Sequence, residues 1–114
     1  PIPTTERLQR IIESPTTHLL AATTEDGAIV GVLTLVFFDI PTYCKAWIED
    51  VVVDSKARGL GVGHALVERA KECAKEVGAR KLYLTSNPSR KAAHALYHKC
   101  GFEEYDTTVF RVKG

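Results

Sequence analysis

The chain has 114 residues, with 15 lysines and arginines against 14 acidic residues and a formal charge of +1. That length predicts one domain, 1–114, with a small core. The interspersed charge excludes a nucleic-acid module with a basic face, and no apolar run approaches the ~20 residues of a membrane-spanning helix.

Three cysteines, Cys44, Cys73 and Cys100, are widely spaced and form no C-x-x-C pair. They read as reduced packing thiols in a cytoplasmic protein without a metal site. No signal peptide, repeat or linker stands out.

The chain opens with a short amphipathic helix, about Thr4 to Glu13, with Leu8, Ile11 and Ile12 at i, i+3, i+4. Thr4 or Thr5 caps it and Pro15 ends it. His18 to Thr23 is a strand, and Thr24-Glu25-Asp26-Gly27 carries the Asp-Gly hairpin signal. Ala28 to Phe38 is a long apolar strand in which Gly31 marks a bulge. After the turn Asp39 to Thr42, Cys44 to Asp54 is the next strand, buried on both faces at its apolar end.

A glycine-studded turn follows, then a helix from about Gly63 to Val77 that Gly78 closes. Arg80 to Ser86 is a strand parallel to the one before the turn, by the usual right-handed crossover. Asn87-Pro88 opens a second helix with Pro88 at its first position. That helix buries Ala92, Ala93, Leu96, Tyr97 and Cys100 and ends at Gly101. Phe102 to Tyr105 and Thr107 to Val112 read as two closing strands. The order is α-β-β-β-α-β-α-β-β.

The stretch Val51-Val52-Val53-Asp54-Ser55-Lys56-Ala57-Arg58-Gly59-Leu60-Gly61-Val62-Gly63-His64 organises the rest. Glycines at 59, 61 and 63 leave backbone N–H groups unshielded and tolerate positive φ. The first N–H groups of the helix have no internal partner, and the positive end of its dipole faces the loop. Arg58 adds a full charge. Together these make a site for a phosphate or pyrophosphate. The spacing is neither a P-loop, which needs Gly-Lys-Ser/Thr, nor the G-x-G-x-x-G of a dinucleotide fold.

Arg58-Gly59-Leu60-Gly61-Val62-Gly63 resembles the R/Q-x-x-G-x-G/A segment of the GCN5-related N-acetyltransferases, whose loop holds the pyrophosphate of acetyl-coenzyme A. Ala93-His94-Ala95-Leu96-Tyr97-His98-Lys99-Cys100-Gly101-Phe102 resembles a second segment of that family, A-x-x-[FL]-Y-x-[KR]-x-G-F. The resemblance covers roughly residues 28 to 114. It implies an α+β fold: a mixed, mostly antiparallel sheet whose central parallel pair splays around acyl-CoA, flanked by helices. The family's first strand and first helix are missing from this order, so the chain reads as truncated at its N-terminus. A strand edge left unpaired there implies a homodimer or a longer chain.

The same resemblance implies acetyl-CoA as cosubstrate, no metal, and transfer of an acetyl group to a primary amine of a small molecule by direct attack. Tyr97 then sits by the coenzyme sulfur as general acid. Glu49 and Asp50 are candidates for the general base, and strand alternation sends them to opposite faces unless a bulge intervenes. The backbone of Val51, Val52 and Val53 pairs with the pantetheine arm and offers an N–H to the acetyl oxygen. Arg58 to His64 hold the pyrophosphate.

The family places an asparagine where this chain has Arg90. Asn87 lies nearby, either as a cofactor contact or as a helix cap. Arg90, Lys91 and Lys99 are either solvated or face the coenzyme's 3′-phosphate. His94 and His98, at i, i+4, lack a third ligand within their motif. Ile48 to Val53 resembles glucosamine-6-phosphate acetyltransferases, and Arg58 to Leu60 with Ser86, Asn87 and Arg90 resembles aminoalkylphosphonate acetyltransferases. A non-catalytic acyl-CoA-binding module is the alternative from another class.

Overall fold

The computed structural model describes residues 4–114. Thr4 accepts the N–H of Arg7 at 3.1 Å and starts helix α1, Thr5–Glu13, which stops at Ser14 beside Pro15. Its apolar stripe is shallow: Ile12 is 66% exposed and no residue of the helix is fully buried. Strand β1 (Thr17–Thr23) turns into β2 (Ile29–Ile40) through the Asp-Gly turn, where Gly27 has φ +88° and its N–H bonds the Thr24 carbonyl. Strand β3 (Tyr43–Val53), a 3₁₀ turn (Ser55–Ala57), helix α2 (Val62–Glu76), strand β4 (Ala79–Leu84) and helix α3 (Lys91–Lys99) follow.

The sheet has order β1-β2-β3-β4, antiparallel except for the β3–β4 pair. One face carries the core. Leu33 and Leu35 of β2 and Ala46 and Ile48 of β3 meet Leu66, Val67, Ala70, Cys73 and Ala74 of α2, with Tyr97 and Cys100 closing the cluster. On the other face Trp47 stacks on Tyr83, ring centroids 5.0 Å apart.

Gly31 is where α2 comes down on the sheet. A Cβ there would lie 2.8 Å from Val62 Cγ1 and 3.0 Å from Leu66 Cδ1, so no larger side chain fits without moving the helix. The expected bulge lies one residue away: Ala22 pairs with Gly31 but Thr23 pairs with Ile29, which skips Val30.

A second irregularity matters more. Val32 pairs with Val52 and Thr34 with Glu49, so the single residue Leu33 opposes both Asp50 and Val51. The extra residue on β3 is a bulge, and Asp50 takes φ +51°, the one positive φ outside glycine among the described residues.

Three expectations fail. The apolar end of β3 is not buried on both faces: Val52 is 57% exposed, because pairing with β4 ends at Ile48. Helix α3 begins at Lys91, not at Asn87-Pro88, because the Asn87 side chain accepts from the N–H (2.9 Å) and hydroxyl (2.8 Å) of Ser89. That local bond closes a turn in competition with the helix, and it leaves Ala92 exposed at the first turn. The two closing strands are also absent: residues 102–114 pair with no strand, and Phe110 and Val112 are almost fully exposed. Alternating apolar residues make a strand only where a neighbouring edge and a covering layer receive them. As a result the parallel pair is not central; β4 is an outer strand, as β1 is at the other side.

Candidate active site

The parallel pairing of β3 and β4 ends at Ile48 and Leu84. Beyond it β3 runs on to Val53 bonded only to β2, while the chain after Leu84 turns away towards α3. The strands part there, and an open cleft of about 1340 Å³ fills the gap. Glu49 to Val53 form one wall, the loop Ala57 to His64 contributes the second, and Leu84, Thr85 and α3 form the third.

The bulge sets the first wall. With one residue added, Glu49 and Asp50 both line the cleft, and both are exposed. Strict alternation would have separated them. Val51 is half-buried against the core and Val52 is 57% exposed. Between Glu49 and Val53 the edge facing the cleft has no partner in β4.

The loop is built for an anion. Asp54 accepts the Lys56 N–H at 2.9 Å and starts the 3₁₀ turn. Gly59 and Gly61 then take φ +83° and +80°. A Cβ at either would meet nothing within 4 Å, so the glycines serve backbone conformation and leave open space. Gly63 has a different reason. Its Cβ would stand 3.2 Å from Leu96 Cδ2 and 3.8 Å from Val53 Cγ2, so glycine lets α2 start hard against α3 and β3.

The first bond within α2 runs from the Ala65 N–H to the Gly61 carbonyl at 3.0 Å. The N–H groups of Val62, Gly63 and His64 therefore have no helical acceptor, and no side chain caps them. Three donors at the positive end of a 15-residue helix open onto the cleft beside Arg58.

On the third wall Tyr97 is 8% exposed and reaches the cleft. Phe102 holds its ring from behind, centroids 6.2 Å apart. The end of α3 fixes that contact: Phe102 N–H bonds the Tyr97 carbonyl at 2.9 Å, with Gly101 at φ +91°. Arg90, Lys91 and Lys99 also line this wall. The charge is thus divided, with cations around the loop and α3 and two carboxylates at the bulge.

Of the residues assigned to catalysis or to the coenzyme, Leu60 and Asn87 do not line the cleft. Leu60 is 76% exposed, and Asn87 is spent on its turn, with its carbonyl 3.0 Å from His94 Nε2. Thr85 and Ser89 line the cleft and were missed. They sit after β4, where no motif marks them; only the parting of the strands brings them in.

A cleft between two parting parallel strands, with a backbone anion cradle at one end and a phenol and carboxylates on the other walls, is the arrangement expected of the family that the two sequence segments resemble. The profile of the Acetyltransferase (GNAT) family matches residues 2–102, and the chain belongs to that family. It is 49% identical over 57 residues to a probable glucosamine 6-phosphate N-acetyltransferase 2 of Oryza sativa subsp. japonica, a match covering 50% of this chain and 32% of that protein. It thus spans well under two thirds of the curated relatives it matches.

Among solved structures, a transcriptional regulator from Bacillus halodurans C-125 superposes with a TM-score of 0.86 at 31% identity, covering 95% of this chain and 73% of that one. An aminoglycoside acetyltransferase from an uncultured soil metagenomic sample gives 0.86 at 27% identity, covering 100% and 76%.

Proposed function

We propose that the chain is an acetyl-CoA-dependent N-acetyltransferase acting on a primary amine of a small molecule. The observation that carries this reading is the cleft itself. Uncapped N–H groups of Val62, Gly63 and His64 lie at one end, with Tyr97, Glu49 and Asp50 on the remaining walls.

The residues present fit the coenzyme. The open cradle at Gly59 and Gly61 admits a pyrophosphate against backbone N–H groups, and Arg58 neutralises charge there. The unpaired edge of Val51, Val52 and Val53 offers main-chain partners to an extended amide arm. Arg90, Lys91 and Lys99 supply further cations. When bound, acetyl-CoA supplies the activated acetyl group as a thioester.

Glu49, or Asp50 beside it on the bulge, takes a proton from the acceptor ammonium, because only the free amine attacks a carbonyl. An N–H of the β3 edge stabilises the oxygen as charge develops on it. The Tyr97 hydroxyl gives its proton to the departing sulfur, at the end of the cleft that Leu84 and Leu96 also line.

Similarity to a glucosamine 6-phosphate acetyltransferase favours an amino-sugar phosphate as acceptor. The test is an acceptor panel with acetyl-CoA and a thiol-release readout, including glucosamine 6-phosphate, an aminoalkylphosphonate, an aminoglycoside and a polyamine. Release that depends on one amine supports the enzyme. Tight CoA binding with no acceptor-dependent release from any amine leaves a non-catalytic acyl-CoA-binding module.

A further inference from the structure

Beneath the cradle, three metal-ligating side chains converge from two helices. His64 and Glu68 stand at i, i+4 on α2, and Cys100 caps the end of α3. One ligand atom from each lies within 4.8 Å of the other two. His64 and Glu68 are half-buried, and Cys100 is 2% exposed. We propose that His64, Glu68 and Cys100 form a binding site for a borderline-soft divalent transition metal, zinc above all, that ties the first turn of α2 to the end of α3.

The donor set is one imidazole nitrogen, one carboxylate oxygen and one thiolate. That mixture suits zinc, or cobalt as its spectroscopic substitute, and suits magnesium and calcium poorly. Zinc bonds of about 2.0–2.3 Å put tetrahedral donors about 3.3–3.6 Å apart. The cluster must close by about an ångström, which side-chain rotation of the two half-buried residues provides. On binding, the Cys100 thiol gives its proton to solvent and the sulfur donates to the metal.

One group opposes the ion. Lys71 Nζ lies 3.2 Å from Glu68 Oε2 and 2.6 Å from the Cys100 carbonyl. The metal and this ammonium compete for one carboxylate, so occupancy transfers Glu68 from Lys71 to the ion. The ammonium keeps its bond to the carbonyl. Such a set is hard to see in the sequence: the histidine pair that draws the eye, His94 and His98, lies on one helix, whereas the cluster forms only when α2 and α3 pack.

Cobalt(II), titrated into the reduced full chain and followed by absorption, tests the site. The expected result is a near-ultraviolet thiolate-to-cobalt band that zinc displaces at one equivalent. Cys100→Ser abolishes the band, Cys44→Ser and Cys73→Ser keep it, and His64→Ala, which removes a direct ligand, weakens binding at least as much as the roughly tenfold that loss of an outer-shell partner costs. Lys71→Met, which frees Glu68, tightens it. Should Cys100→Ser fail to fold, His64→Ala and Lys71→Met decide. The proposal is overturned by absence of the band, by a band that needs Cys73 or Cys44, by His64→Ala binding as tightly as the parent chain, or by weaker binding in Lys71→Met.

Discussion

Gly61→Asp should separate the cradle from the fold. Gly61 precedes α2 at φ +80°, ψ 13°, and a Cβ there meets nothing within 4 Å. No clash follows, and the cost is the left-handed backbone, about 1 kcal/mol. The new carboxylate sits at the positive end of α2, which returns about 0.3–1 kcal/mol. The two nearly cancel, so folding stability should stay within about 1 kcal/mol of the parent.

Binding has no such compensation. A carboxylate about 4 Å from a phosphate charge costs about 1 kcal/mol in water and about 4 kcal/mol at the effective dielectric of a protein surface. The cleft is open, so a value near 2 kcal/mol applies, or roughly 30-fold weaker binding. Gly61→Asn is the control, with the same bulk and backbone demand but no charge. Calorimetric titration with CoA at two salt concentrations, alongside urea denaturation, reads both quantities. Equal CoA affinities for the Asp and Asn variants would refute the pyrophosphate site.

Tyr97→Phe keeps the ring in its apolar seat and removes only the hydroxyl; kcat should fall on the order of 10²-fold, about 2.7 kcal/mol of barrier, with CoA affinity unchanged. An unchanged kcat under conditions where chemistry limits turnover would return Tyr97 to a packing role. Glu49→Gln should lower kcat at neutral pH and recover towards high pH, where the acceptor amine is already free; a loss of equal size at every pH would argue against a base at this position. Gly31→Val should destabilise by about 1–3 kcal/mol through overpacking against Val62 and Leu66 and weaken CoA binding by displacing the first turn of α2. Normal stability and CoA affinity in that variant would mean that the helix start is not pinned by the sheet.

The strand–loop–helix unit was legible because its reasons are local. Apolar residues run to Val53, glycine is required at 59 and 61 by backbone conformation, and α2 carries a clean apolar face. Gly63 was legible by motif but for a partly different reason, since its need is packing against Leu96. The bulge at Asp50 was not legible. It depends on how β2 and β3 register, and although aspartate tolerates a positive φ better than most residues, that tolerance alone does not place a bulge. Yet that bulge brings Glu49 and Asp50 onto one cleft.

The start of α3 was misread because Pro88 suits a first helical position, while the Asn87 side chain wins the competition for the same backbone. The closing strands were misread because period-two alternation reports an opportunity to pair, not a partner. Tyr105 instead rests near Tyr83, ring centroids 5.9 Å apart. Thr85 and Ser89 entered the cleft through tertiary geometry alone.

The most direct measurement is an amide-resolved NMR titration of the full chain with CoA. The expected result is that the largest shifts fall on Gly59, Gly61, Val62, Gly63 and His64, where free N–H groups meet the pyrophosphate, and on Val51 to Val53 along the parted strand. NAD and ATP should move these amides far less. Saturable CoA binding that leaves them unmoved, or shifts confined to the β1–β2 side of the sheet, would contradict a coenzyme seat in the cleft between β3 and β4.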